Sequence, residues 1–288
     1  MLRQTSIWIV LAAATSCFAS AGVCAEEAAE KDPASRWRPS LSVAFDVYED
    51  RAKGEIRSFV GFSTKGRKRR TLVLFRLGAE LMTPTYDQLW GDPRFFAYAG
   101  GQLMPDQTKT ITSAGDKVNN VNPEEDIAAG GQELRGQGSE LKQEFLNQSW
   151  YLGIGVAYTV PFAGIDVLFK PKIEYMGEHI EARGRIVRAF EQFPRTNPRT
   201  FNVIRVEESK KQIYNSVGPG LEVEFILEST GQLALSVFGD FRMMWNVSDR
   251  DVHFRDGIGI GKFVFQRERL GIRGGAGIRL AWQGPFWD

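Results

Sequence analysis

The feature that most constrains this chain is an apolar residue at every second position, sustained over segments of up to thirteen residues. A period of two is the repeat of a β-strand, whose successive side chains point to opposite faces. In the segment 73–81, Val73, Phe75 and Leu77 share one face. Arg76 and Glu80 lie on the other. The pattern therefore predicts an all-β protein.

Eight alternating segments are separated by connections that alternate between short and long. The segments are 41–47, 73–81, 95–103, 152–160, 165–175, 221–227, 233–245 and 270–282. The short connections are 84–93, 161–164 and 228–232, and the long ones are about 50–70, 105–147, 178–214 and 247–267. Short turns at one end and long, polar loops at the other are typical of transmembrane barrels. We therefore predict an antiparallel up-and-down transmembrane β-barrel of eight strands. Ten or twelve strands stay open, because 55–62, 185–190 and 262–266 either extend strands or form additional ones.

The first residues have the layout of a secretory signal peptide. Arg3 precedes an apolar stretch at 7–14, and small residues then lead to Ala25. The stretch is too short to span a bilayer. We expect cleavage after Ala25, with a cut after Ala21 as the alternative. The predicted organisation is a signal peptide at 1–25, a short periplasmic segment at 26–39 and the barrel domain at 40–288.

The charge balance excludes one class of partner. The chain has 36 Lys and Arg and 35 Asp and Glu, a formal net charge of +1. Signal-peptide removal takes away Arg3 and no carboxylate, so the mature chain is neutral. A neutral chain has no global field that attracts nucleic acid, and we predict no nucleic-acid partner.

Alternation alone does not decide which face of the barrel is apolar, because a soluble lipocalin-like binder alternates with its apolar residues inside. Two features favour the membrane form. The polar faces combine small residues with opposite charges, as a narrow lumen requires. Aromatic residues also lie near segment ends, where girdles meet lipid headgroups. They are Trp150, Tyr151, Tyr158, Tyr175, Trp245, Trp282 and Phe286.

The last strand carries a family resemblance. Gly277, Leu280 and Trp282 form a terminal amphipathic pattern that resembles the signal read by the outer-membrane assembly machinery of Gram-negative bacteria. The whole arrangement resembles small outer-membrane barrels of the OmpA and OmpX type. Segments 172–178, 218–224 and 275–279 look like an uncharacterised proteobacterial family of such barrels. The resemblance implies an outer-membrane monomer surrounded by membrane lipid and lipopolysaccharide, and assembled by that machinery.

The polar faces predict a lumen lined with charges of both signs. Isolated charges in a narrow interior are costly, so we expect a network of ion pairs that closes the barrel. A gated small-solute channel is the alternative. The predicted members are Asp46, Arg76, Glu80, Asp166, Lys170, Lys172, Glu174, Glu222, Glu224, Asp240, Arg242, Arg273 and Arg279.

A basic run at the end of the first long connection suggests a contact with lipid. The run comprises Lys65, Arg67, Lys68, Arg69 and Arg70, and we expect it to meet lipopolysaccharide phosphates at the outer leaflet. The alternative is a solvated loop without a ligand. The expected role of the protein is structural or surface interaction, in envelope integrity.

No catalytic, cofactor or metal site is predicted. Outer-membrane enzymes that modify lipid A use a histidine with a serine or carboxylate partner, and such an enzyme is a further alternative. The chain has two histidines, His179 and His253, and no recognisable catalytic motif. Two distant histidines do not form a recognisable set of metal ligands, and the two cysteines, Cys17 and Cys24, lie in the signal peptide.

Overall fold

The computed structural model describes residues 36–103, 108–115, 137–146, 149–191, 201–230 and 232–283. Across these ranges no helix is long and apolar enough to cross a membrane. Residues 1–35, which include the predicted signal peptide, and Phe286 lie outside the described part of the chain.

Twelve β-strands make up the described structure, and every paired neighbour is antiparallel. They are β1 (Arg38–Ser58), β2 (Thr64–Met82), β3 (Arg94–Leu103), β4 (Lys109–Gly115), β5 (Gly138–Phe145), β6 (Ser149–Phe162), β7 (Ile165–Glu191), β8 (Phe201–Thr230), β9 (Leu233–Asn246), β10 (Asp251–Arg255), β11 (Gly261–Arg267) and β12 (Leu270–Trp282). The first strand begins at Arg38, two residues before the predicted start of the barrel domain.

Eight of these strands close a ring in chain order, β1-β2-β3-β6-β7-β8-β9-β12. The ring closes where β1 pairs with β12, from Ser40 opposite Ala281 to Tyr48 opposite Arg273. The predicted eight-stranded up-and-down transmembrane barrel is confirmed. Closure removes the open sheet edges that lipid cannot satisfy.

An outward-facing apolar band surrounds the ring. Phe45, Ile154 and Ile278 are each more than half exposed, although all three belong to regular strands. On β12 the band runs from Leu270 to Leu280. Eleven residues at the usual rise and tilt span about 25 Å of membrane thickness. Since the apolar residues point outward, the lipocalin-like alternative with an apolar interior is wrong.

Aromatic residues mark the end of the band nearest the long connections. Trp150 pairs with Gly177, and its ring lies 5.6 Å from that of Tyr175. Trp245 pairs with Leu270 and is 40% exposed. This girdle is the level at which the membrane-spanning barrel ends.

Beyond the girdle the described parts of the long connections are mostly β-strand, where the sequence predicted long polar loops with strand extensions or additional strands as the open alternative. Residues 55–58 extend β1, and 185–190 extend β7. Residues 262–266 belong to the separate strand β11. Two additional hairpins, β4–β5 and β10–β11, attach to the extended strands.

These extensions form what we call the distal sandwich. One half has the order β10-β11-β1-β2 and the other has the order β4-β5-β7-β8. All eight strands contribute to one apolar core between the halves. Its members are Tyr48, Ala52, Ile56, Leu72, Leu74, Ile111, Leu141, Phe145, Ile180, Ala182, Ile186, Val206, Tyr214, Val252, Phe254, Phe263 and Phe265.

A closed ring of this kind should behave as a heat-modifiable membrane protein. We expect the expressed protein to need detergent for extraction and to migrate faster on a gel before boiling than after, because a closed ladder resists unfolding by detergent alone. Fractionation followed by gel mobility checks this. Protein that is recovered from the periplasm without detergent would contradict the membrane assignment.

Candidate functional site: the lumen and its rim

The interior of the ring holds a balanced set of charges. The inward positions of the strands bring together eight cations and eight carboxylates, all buried. The cations are Arg38, Arg76, Lys170, Lys172, Arg242, Arg267, Arg273 and Arg279. The carboxylates are Asp46, Asp50, Glu80, Glu174, Glu178, Glu222, Glu224 and Asp240. Buried charges are tolerated when they are paired, and this set is neutral as a whole.

The end of the lumen nearest the short turns is organised around Lys170. Its ammonium nitrogen lies 2.6 Å from Glu80 and 3.1 Å from both Glu222 and Glu224. Arg279 binds the same three carboxylates. These contacts join β2, β7, β8 and β12 across the lumen.

The middle of the lumen is organised around Arg242 on β9. Its guanidinium lies 2.5 Å from Asp46 and 2.9 Å from Glu174. Arg76 on β2 reaches Glu174 at 2.8 Å from the opposite wall. Asp240 accepts from both arginines and from Lys172, and so joins this layer to the one below.

The lumen ends at the girdle in a third layer around Glu178. Its carboxylate lies 2.7 Å from Arg267 and 2.8 Å from Arg273. Arg267 also contacts Asp50, and Tyr48 donates a hydrogen bond to Glu178. The apolar core of the distal sandwich begins directly above, since Tyr48 belongs to both.

Aromatic rings fill the space between these charges. Six lumen cations lie over aromatic rings, with centroid distances from 3.7 to 5.7 Å. The pairs are Arg76 with Tyr151, Lys170 with Phe96, Lys172 with Tyr98, Arg267 with Phe145 and Tyr214, Arg273 with Tyr48, and Arg279 with Phe238. Lys170, Glu174 and Arg242 have no exposed surface. A continuous water path would expose such groups, so the lumen is closed in this structure.

Twelve of the thirteen predicted lumen residues lie in this interior. The exception is Asp166, which is exposed at the start of β7, where it pairs with Pro161 next to the short turn. Asp166 is an even number of positions from Lys170 and so has the alternation of an inward residue, but this end of β7 lies outside the lumen. The prediction for Asp166 is therefore wrong.

Sequence reasoning missed four members of the network. They are Arg38, Asp50, Glu178 and Arg267. Arg38 and Asp50 are an even number of positions from Asp46 on β1, and Glu178 is an even number of positions from Glu174 on β7, so all three point inward. They would have been predicted if the alternation had been continued beyond the ends of the predicted strands. Arg267 lies on β11, whose attachment to β1 has no signal in the alternation.

The basic run at 65–70 is divided between two faces of β2. Lys65, Arg67 and Arg69 point outward, and each meets a carboxylate. Their partners are Glu55, Glu268 and Glu49 respectively. A hydrogen bond from Arg57 also lowers the pKa of the Glu55 carboxyl, because it stabilises the charged form.

The other two cations of the run have the opposite parity. Arg70 is nearly buried, lies 3.3 Å from Asp50 and stacks over Phe145. A buried arginine does not meet lipopolysaccharide, so the prediction for Arg70 is wrong. Lys68 shares the face of Arg70 but is exposed at the free edge of β2.

The two histidines do not form a catalytic pair with a neighbour. In the described ranges neither imidazole hydrogen-bonds to a serine or carboxylate. Burial lowers the pKa of His179, which lies on β7 beyond the girdle. His253 is exposed on β10. The described residues also contain no cluster of His, Cys, Asp and Glu suited to a metal ion.

The predicted assembly signal lies in β12, the strand that closes the ring. Gly277 pairs with Ala44 of β1, and Leu280 pairs with Leu41. Leu280 faces outward and is 47% exposed, while Trp282 is half-buried at the strand end. The three residues therefore lie along the seam where the barrel closes.

Comparisons with known proteins give structural likeness only. No protein-family model and no curated protein matches the chain. Among solved structures, Ail of Yersinia pestis matches with a TM-score of 0.30 and 9% identity, over 84% of this chain and 98% of that one. The outer-membrane protease OmpT from Escherichia coli matches with a TM-score of 0.34 and 8% identity, over 84% of this chain and 96% of that one. Neisserial surface protein A matches with a TM-score of 0.28 and 12% identity, over 84% of this chain and 99% of that one. At these scores the barrel assignment depends on the strand pairing of the chain itself.

Proposed function

We propose that the protein is an outer-membrane β-barrel of a Gram-negative bacterium with a structural or surface-interaction role in envelope integrity. It is exported by its signal peptide and inserted as a monomer by the assembly machinery. Its short turns face the periplasm, and the distal sandwich stands outside the cell. Transmembrane barrels place long connections outside, which supports this orientation.

One observation carries the proposal. The outward face of the barrel changes from apolar to charged at the girdle, while the lumen beneath stays closed. On β1, Val43, Phe45 and Val47 precede Arg51 and Lys53 on the same outward face. We call the outward-facing charged residues immediately beyond the girdle, such as Arg51 and Lys53, the collar. Because the collar lies directly above the apolar band, it is at the level of the lipid headgroups. The charged collar and the closed lumen together support a role in engaging the membrane surface from outside, in place of the alternative role as a solute channel.

On the side of the barrel formed by β1 and β2 the collar is predominantly positive. Four cations, Arg51, Lys53, Arg67 and Arg69, lie there beside two carboxylates, Glu49 and Glu268. Lipopolysaccharide carries phosphates at this level, and arginine binds phosphate through paired hydrogen bonds. We propose contact with lipopolysaccharide through this collar, with Lys65, Arg67 and Arg69 contributing from β2.

Salt dependence of lipopolysaccharide retention tests the proposal. Protein purified in a mild non-ionic detergent at about 0.1 M salt should retain lipopolysaccharide, and most of it should be lost at about 1 M salt. The reason is that the screening length falls from about 10 Å to about 3 Å over this range. The ratio of lipopolysaccharide to protein is measured after gel filtration. Absence of lipopolysaccharide at low salt, or retention that salt does not change, would contradict an electrostatic contact.

A further inference from the structure

A cavity lies at the girdle where the neighbour of β1 changes from β12 to β11. The pair Tyr48–Arg273 belongs to β12, and the pair Ala52–Arg267 belongs to β11. Between these pairs β1 has three residues, whereas the opposite chain has five, 268–272. A cavity of about 140 Å³ adjoins this longer connection. A single water needs only about 10–15 Å³ by the same measure, so the cavity admits a larger group.

The walls of the cavity carry three cations that have no carboxylate partner. They are Lys53, Arg250 and Arg269. None of them makes an ion pair within the described ranges. Glu268 also lines the cavity, but Arg51 and Arg67 already bind it. Three like charges around one cavity repel each other, and an anion between them would relieve that repulsion.

The position of the cavity indicates what kind of anion it takes. Leu270 forms part of its lining, is 43% exposed and pairs with Trp245 of the girdle. The cavity therefore borders the apolar band on one side and the charged collar on the other. A phosphate attached to a lipid meets both requirements, because its acyl chains lie against the band.

We propose that Lys53, Arg250 and Arg269 bind a phosphate group carried by a membrane lipid, in lipopolysaccharide the phosphate of lipid A. This assignment rests on the proposed outer-leaflet position of the collar. It differs from the basic run at 65–70, whose outward cations are already compensated by Glu49, Glu55 and Glu268. The binding site is thus assembled from β1, from the residue preceding β10 and from the β11–β12 connection.

The test compares two variants that lose the same charge. K53S/R250S/R269S removes the three unpaired cations, and K65S/R67S/R69S removes three cations that have carboxylate partners. The probes are lipopolysaccharide with intact lipid A phosphates and the same material after phosphatase treatment. Gel mobility before and after boiling verifies that both variants fold.

We expect K53S/R250S/R269S to lose about tenfold or more in affinity for the phosphorylated probe, since each basic residue near an anionic surface contributes to binding. The same variant should bind the dephosphorylated probe nearly as the unmodified protein does. The matched variant removes collar cations that also contribute to the proposed contact, so it should lose affinity as well, but only about threefold, because carboxylates already compensate those cations. That combination supports the site.

Other outcomes overturn it in distinguishable ways. Equal losses in both variants would mean diffuse attraction to the collar, which removes this site and leaves the proposed lipopolysaccharide contact. Inorganic phosphate that competes as well as the lipid probe would assign the cavity to a free anion. Failure of the unmodified protein to bind either probe would overturn the proposed contact together with the site.

Discussion

Replacing Arg242 with methionine should lower the free energy of unfolding by about 3–5 kcal/mol, the usual cost of removing one partner from a buried ion pair. The guanidinium has no exposed surface and contacts three carboxylates, Asp46, Glu174 and Asp240. Methionine retains the apolar stem but no charge. The three carboxylates then stay buried with one cation fewer, which is the origin of the cost.

Denaturant titration in detergent, followed by the loss of the fast-migrating gel band, measures this change. Arg255→Met is the matched control, because Arg255 is exposed on β10 and makes no ion pair within the described ranges. Its effect should stay within about 0.5 kcal/mol. The variant R242M/D46N should recover much of the loss, because it also neutralises one carboxylate that Arg242 contacts and so leaves seven cations and seven carboxylates in the lumen. Equal stability of R242M and R255M would contradict the network.

The same preparations examine the channel alternative. The unmodified protein should give no current steps in a planar bilayer, because Lys170, Glu174 and Arg242 fill the lumen without exposed surface. Reproducible current steps from the unmodified protein would mean that the ion-pair network leaves the lumen open at times. The proposed structural role would then have to be replaced by that of a channel.

The membrane-spanning part was predictable because one rule holds along each strand. On β2 and β12 the outward residues are mostly apolar and the inward residues are mostly charged or small, so a period of two identifies both faces of these strands. The choice of partners was not predictable in the same way. Arg76 on β2 binds Glu174 on β7, and these strands are not neighbours in the sheet. Such contacts depend on the tilt and stagger of the closed ring.

The distal sandwich was not predicted because the apolar and the charged faces of the strands exchange sides at the girdle. On β1 the inward side changes from Ser42 and Asp46 to Ala52 and Ile56, while the outward side changes from apolar to charged. The strand continues without interruption and only the surroundings of its two faces change. A search for one apolar face therefore ends at Val47, although the strand continues to Ser58.

The inversion has a physical cause. Within the membrane the outside is lipid, and the narrow interior is closed by charges that neutralise one another. Beyond the girdle the outside is water, so apolar burial stabilises the structure only when it faces inward. The layer of Tyr48, Glu178 and Arg267 marks the change between the two kinds of interior. Each part can therefore be weakened separately.

Replacing Phe263 with alanine should destabilise the distal sandwich by about 3–5 kcal/mol, as large core truncations usually do. Phe263 is fully buried, and its ring stacks on that of Phe254 at 5.1 Å. The lumen network does not contact it, so the fast-migrating gel band should persist. Hydrogen exchange measured by mass spectrometry should show faster exchange in β10 and β11 and unchanged exchange in β9. Val264→Ala, on the opposite face of β11, is the matched control and should have little effect.

Gly184 allows a second test of the same contact. A Cβ at Gly184 would lie 2.3 Å from Cδ1 of Phe263, so Gly184→Ala should overpack the core and cost about 1–3 kcal/mol. In F263A/G184A the new methyl group enters the space that the ring leaves. The free energy of unfolding that the double variant loses should therefore be smaller, by at least about 1 kcal/mol, than the sum of the losses in the two single variants. Simple additivity, or loss of the gel band in F263A, would show that the sandwich and the barrel are not arranged as described.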